Sequence, residues 1–124
     1  MKKVNFVIQI VLGVLLLIFG LNKFFGFLPM MPMPAAAASF GGALMATGYM
    51  MNMIAVVEVL VGALLVINKF VALALLFLAP LTVNIIAFHL FLDLPGIGPG
   101  ALVALLNIYL FFVYKSAYKG VLKA

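Results

Sequence analysis

A lone carboxylate, Glu58, sits in the middle of an apolar run from Met50 to Ile67 whose heart reads VVEVLVGALLVI. A run of that length crosses a bilayer when it is helical. A charge at the centre of such a helix costs about 2.5–3.5 kcal/mol on insertion scales. Groups of this kind face a bundle interior or a wet cavity rather than acyl chains, and they are functional candidates by default. Whatever fold the chain adopts must therefore hide Glu58 from hydrocarbon, and a single helix cannot do that.

Composition agrees with a bilayer setting. Of the 124 residues, 69% are hydrophobic and 7% charged, against about a quarter charged in soluble domains. The expectation is one integral membrane domain over residues 1–124 with about four spans of roughly 20 residues each. A net charge of +5 comes from seven lysines against Glu58 and Asp93. A nucleic-acid binder gathers its basic residues on a polar face, whereas these lysines punctuate the ends of apolar runs. They read as topology signals and lipid-headgroup contacts, worth about 1 kcal/mol each near an anionic surface. With no cysteine, the chain itself holds no thiol–disulfide chemistry, iron–sulfur cluster or cysteine zinc site.

The first span runs from residue 4 to about residue 28. Its apolar stretch is longer than a signal-peptide core, and bulky FFGFLPMMPMP separates it from the small residues Ala35–Ala38, so an uncleaved helix is expected. Pro29, Pro32 and Pro34 then stop the helix. Ala35 to Thr47 is helix-prone but short, with Phe40, Leu44 and Met45 on one side, and reads as an interfacial or re-entrant helix. Span two covers 50–67 and span three 70–92, where Pro80 is expected to kink the helix and free a carbonyl inside the bundle. The DLPGIGPG stretch, 93–100, reads as a turn, and span four covers 101–114 before a basic tail. The fold class is thus an all-α, antiparallel four-helix membrane bundle. Six lysines (2, 3, 69, 115, 119, 123) fall on one side and Lys23 alone on the other. The positive-inside rule then puts both termini in the cytoplasm of a multi-pass cell (inner or plasma) membrane protein.

Small and polar residues mark one face of each span. Span one carries Asn5, Gln9, Gly13, Leu16, Gly20 and Lys23, at steps of three and four that keep them on one helical face. Span two repeats the pattern with Gly48, Ala55, Glu58 and Gly62; span three offers Pro80, Asn84 and Ala87; span four offers Gly100, Ala104 and Asn107. Membrane helices pack through such residues, which makes Gly13, Gly20, Gly62 and Ala104 helix-packing candidates. At 1.5 Å per residue, Glu58, Asn84 and Asn107 lie about 10–14 Å below the outer ends, and Lys23 about 8 Å below if span one continues to Leu28. His89 sits roughly a turn and a half above Asn84. The outer half is thus expected to collect most of the groups capable of chemistry.

Gly20-x-x-Lys23, a Pro/Ala segment leading to Gly48, and Glu58-x-x-x-Gly62 together resemble the DoxX family of small four-helix membrane proteins, over nearly the whole chain. The resemblance implies an accessory membrane subunit of a quinone-linked or oxidative-stress redox system, without intrinsic cofactor but with quinone as a ligand. It also implies redox protein partners beyond the lipid bilayer. Redox roles that need cysteine do not carry over. On this reading Lys23, Glu58, Asn84, His89 and Asn107 shape an outward-opening proton or quinone-headgroup pocket. Burial disfavours a charged carboxyl while a nearby ammonium favours it, and a pair balanced between the two exchanges protons.

Plainer readings stand beside it. Lys23 and Glu58 also suit a structural ion pair, His89 a backbone hydrogen bond, and Asn84 and Asn107 inter-helix contacts. Met30, Met31, Met33, Met45, Met50, Met51 and Met53 supply soft thioethers of the kind Cu(I) takes. With one histidine and no cysteine they read rather as gap-fillers, and no metal is assigned. Phe24, Phe25, Phe27, Tyr49, Phe88 and Phe91 at one end, with Tyr109, Tyr114 and Tyr118 at the other, read as interface anchors. No dinucleotide glycine pattern follows a strand, and no hydrolytic triad is visible, so hydrolytic catalysis is not expected and the chain reads more as a non-catalytic membrane subunit than as a stand-alone enzyme. The rival functions are a small transporter or proton/ion conduit, with homo-oligomerisation to build a pore, and a membrane scaffold or assembly protein.

Overall fold

A computed structural model describes residues 2–29 and 32–123; the expectations for Met30 and Met31 lie outside these residues. The described chain is all-helical. Its elements are α1 (Lys2–Phe25), α2 (Ala35–Ala46), α3 (Met50–Val66), α4 (Val71–Phe91), α5 (Ile97–Val113) and the short α6 (Lys119–Leu122), with 3-10 turns at Leu94–Gly96 and Lys115–Tyr118. Among the described residues, three helices are long and apolar enough to cross a membrane: α1, α4, and α5 with its preceding 3-10 turn. The number rises to four if α2 and α3, bent by 91° at their junction, count as one span.

Local chemistry places most of the breaks. α1 ends at Phe25, three residues short of the expected Leu28. Gly26 takes a left-handed φ of 61°, the conformation that closes many helices. Its amide donates to the Asn22 carbonyl, and the Leu28 amide donates to Asn22 Oδ1 at 2.7 Å. The α2–α3 corner turns on Gly48 (φ 81°). Thr47 Oγ1 accepts from the Met50 amide at 3.0 Å and so supplies a partner for one orphan donor at the start of α3. α3 and α4 meet through four residues, in which Asn68 (φ 59°) and Phe70 (φ 51°) are both left-handed. Asn tolerates that region, whereas a bulky aromatic there is strained.

One expectation fails in the C-terminal half. The DLPGIGPG stretch is not all turn, because α5 already begins at Ile97. Pro99 is its third residue, where a helix has no use for the missing N–H. After Tyr114 the chain tightens into a 3-10 turn and tucks Tyr118 back to 6% exposure beside Phe111.

The core is aliphatic: Leu12 and Leu16 of α1, Val61 and Leu65 of α3, Leu75 and Leu78 of α4, and Val103 and Leu110 of α5. Gly13 lies against Gly62, and Gly20 against Ala55, so α1 and α3 run in opposite directions. Thr82 lies against Asn107 and His89 against Gly100, so α4 and α5 do as well. The start of α1, the 67–70 turn and the C-terminal tail meet at one end of the molecule; α2 meets α4 at the other, where Phe40 stacks on Phe88 at 5.5 Å.

Candidate functional site

The site begins with missing side chains. A Cβ on Gly62 would stand 2.7 Å from the Gly13 carbonyl oxygen and 3.0 Å from the Leu17 amide nitrogen, and one on Gly13 would stand 2.9 Å from the Gly62 carbonyl oxygen. At Gly20 the added atom would meet Val59 Cγ2 at 2.8 Å and the Ala55 carbonyl oxygen at 3.1 Å. Backbones this close are what small residues permit in membrane helices. The close approach brings the next turn of α1 over Glu58.

There Lys23 Nζ reaches Glu58 Oε1 at 2.6 Å. The two ends of the pair differ in surroundings: 4% of the Glu58 side chain is exposed, against 27% for Lys23. Attraction between opposite charges at this distance holds the contact. A hollow of about 110 Å³ adjoins Lys23 and is lined also by Met45, Gly48, Tyr49, Met51 and Asn52. Lys23 thus borders a small recess, and the carboxylate it pairs with is buried.

The other expected pocket residues are placed elsewhere. Asn84 is exposed, and its Nδ2 donates to the Pro80 carbonyl on its own helix at 2.9 Å. Pro80 is exposed too, so the carbonyl it frees does not serve the interior. The buried face of α4 is Val71, Ala74, Leu75, Leu78 and Thr82, and at about 100° per residue Pro80 and Asn84 lie nearly opposite it. The Pro80–Asn84–Ala87 stripe therefore points away from the core, a correction to the sequence expectation. Asn107 is 1% exposed and accepts from Thr82 Oγ1 at 2.9 Å, while its Nδ2 has no partner among the described residues. His89 lies on the face toward α5, where a Cβ on Gly100 would meet its ring at 2.8 Å. Its Nδ1 is 3.1 Å from the Asp93 carbonyl oxygen and 3.9 Å from Asp93 Oδ2. Ala104 is buried at the α5 interface. Thus Lys23 and Glu58 meet, while Asn84, Asn107 and His89 each have separate partners.

A second polar cluster lies at the opposite end, so the polar groups do not gather in one half as the sequence suggested. Gln9, 1% exposed, donates through Nε2 to the Leu65 carbonyl and to Asn68 Oδ1, both at 2.9 Å, and accepts from the Tyr114 hydroxyl at 2.5 Å. Tyr118 donates to the Ala72 carbonyl at 2.9 Å, and Tyr109 to Asn5 Oδ1 at 2.5 Å. Beside this cluster opens a groove of about 550 Å³ bordered by Asn68, Phe70, Leu73, Tyr114 and Tyr118, among others. Gln9 stood out in the α1 stripe, but its tyrosine partner lies 105 residues away, and no local spacing links them. Among the described residues, no three His, Cys, Asp or Glu side chains converge as a metal site.

Comparison with known proteins returns no matching family model, no matching curated protein and no matching solved structure.

Proposed function

We propose that the chain is a four-span antiparallel membrane bundle, one domain over residues 1–124, in the cell membrane with both termini cytoplasmic. Within it the Lys23–Glu58 pair serves as a headgroup site for quinone, in a DoxX-like accessory subunit of a quinone-linked or oxidative-stress redox assembly. The observation that carries this reading is the 2.6 Å contact. The residues that suggested the family, Gly20-x-x-Lys23 and Glu58-x-x-x-Gly62, are the same ones that mesh α1 with α3 and bring the two charges together.

The recess supports a headgroup and little more. At about 110 Å³ it is well below the roughly 300–1,000 Å³ of pockets that enclose a drug-sized ligand. A quinone ring edge enters beside Lys23 while its apolar tail stays among the lipids. The ammonium donates to a ring carbonyl, and the carboxylate behind it keeps that ammonium positioned. Electron transfer falls to the redox partner, for which this chain is the membrane anchor.

Purified protein tests the reading through its co-extracted quinone, measured by absorbance and mass spectrometry. Glu58→Gln and Lys23→Met are each expected to lose bound quinone while the helical circular dichroism stays intact. Unchanged quinone in both folded variants would remove the headgroup site. Ion flux through liposomes holding this protein alone would favour the conduit, and loss of abundance without loss of ligand would favour the scaffold.

A further inference from the structure

Asn84 raises a problem that the single chain does not solve. α4 holds 21 residues, and Asn84 stands seven residues before its last, Phe91. At 1.5 Å per residue the side chain lies about 10 Å in from that end, inside the hydrocarbon of a bilayer about 30 Å thick. One amide hydrogen goes to the Pro80 carbonyl. The Asn84 carbonyl oxygen and its second amide hydrogen have no partner among the described residues. One turn further, the Leu76 carbonyl loses its usual donor, because residue 80 is proline. Asn84, Pro80 and Leu76 are all exposed. Polar groups left without partners in lipid are costly, and membrane helices satisfy them across interfaces.

The pattern around Asn84 says what covers it. Leu73, Phe77, Pro80, Asn84, Ala87 and Phe91 recur at steps of four, three, four, three and four. This 3.5-residue repeat is the seam of a left-handed helix pair. Phe77 and Phe91 are 63% and 84% exposed, so the seam is open in the single chain. An asparagine carries both donor and acceptor, and is therefore its own complement. Copies inserted in the same direction put Asn84 at the same depth without further adjustment, as a two-fold axis along the membrane normal requires. A foreign helix would need a matching polar residue at that depth. We infer that the exposed face of α4 pairs with α4 of a second copy of this chain, with Asn84 hydrogen-bonded to Asn84 across the two-fold axis.

The inference rests on α4 crossing the bilayer, not on quinone binding. A chain without native cysteine allows a clean test, because a single introduced cysteine reports only its own neighbour. Phe77→Cys lies on the seam. Phe112→Cys is the control: the α4–α5 register places it at the same depth, on α5, and Phe112 is 69% exposed. Oxidation in native membranes should link Phe77→Cys into a species of doubled mass. Linking should be about tenfold faster than for Phe112→Cys, the scale of one interhelical hydrogen bond. Adding Asn84→Leu should reduce it to the control rate. Asn84 is exposed, so that change leaves the core packing alone, and circular dichroism verifies the fold. Equal rates for the two cysteines, an adduct to a different protein, or linking that survives Asn84→Leu would each overturn the inference. A water-soluble maleimide applied to the reduced variants separates the premise from the pairing. Both cysteines are expected to resist it, and modification of both would refute the placement of α4 in lipid.

Discussion

Breaking the Lys23–Glu58 pair from its two ends should cost unequal amounts. Lys23→Met keeps the aliphatic stem and removes the ammonium, leaving a carboxylate that is 4% exposed with no countercharge. Removing one partner of a buried pair costs about 3–5 kcal/mol, because the remaining charge is left uncompensated. Glu58→Gln leaves an ammonium on a side chain that is 27% exposed beside the recess. A charge that is partly exposed is cheaper to leave unpaired, and the loss falls to about 1 kcal/mol, the upper end for an exposed ion pair. Replacing both, as Lys23→Met with Glu58→Leu, should bring stability back to that of the parent, since apolar substitutes for a buried pair are neutral or stabilising by about 1–4 kcal/mol. Unfolding in mixed micelles titrated with a denaturing detergent, followed by circular dichroism, gives all four corners of the cycle. Equal costs for the two single changes would show that the burial asymmetry does not govern the pair. A double variant as unstable as the sum of the singles would show that the two charges are not coupled.

Two further outcomes follow from the packing. Gly62→Ala should destabilise despite a helix-propensity gain of about 1 kcal/mol, because its Cβ would press on backbone atoms of α1 and overpacking costs about 1–3 kcal/mol. Gly42→Ala in α2, whose added Cβ meets nothing within 4 Å among the described residues, should be neutral or stabilising in the same detergent titration. At the other end, burial first and the neighbouring Tyr114 second hold the Tyr118 hydroxyl above the ordinary tyrosine range. A raised folded value means that docking of the tail is fully favoured below about pH 10 and fades as pH climbs past it. Tyrosinate absorbance should therefore rise together with protease access to the tail, and Tyr118→Phe should lose the coupling between the two.

Legibility differed sharply between helices. In α1 the few small and polar residues stand out against Leu, Ile, Val and Phe, and the stripe through Gln9, Gly13, Leu16 and Gly20 is buried as its spacing suggested. In α4 the same reasoning chose the wrong face. Pro80 and Asn84 are conspicuous in sequence yet exposed, while Thr82, two residues away, is buried against Asn107. The reason is physical: lipid is as apolar as the core, so hydrophobic contrast does not separate outside from inside. A polar exception shows that some interface exists, not which one. Connections were legible in part: the Asn68-Lys69 turn closes α3 where expected, whereas Gly26 ends α1 before the prolines and α5 begins inside the 93–100 stretch.

The amino-acid order alone settled that this chain is helical, suited to a bilayer, and obliged to shelter one acid. Those properties follow from run lengths, from charge scarcity and from the energy of a carboxylate in oil, none of which needs coordinates. Only tertiary structure decided that Lys23 reaches down from the last turn of α1 to Glu58. It also decided that Gln9 gathers Tyr114 and Asn68 at the other end, and that Asn84 looks outward. Each depends on how helices rotate against one another, and rotation is set by which glycines let two backbones touch.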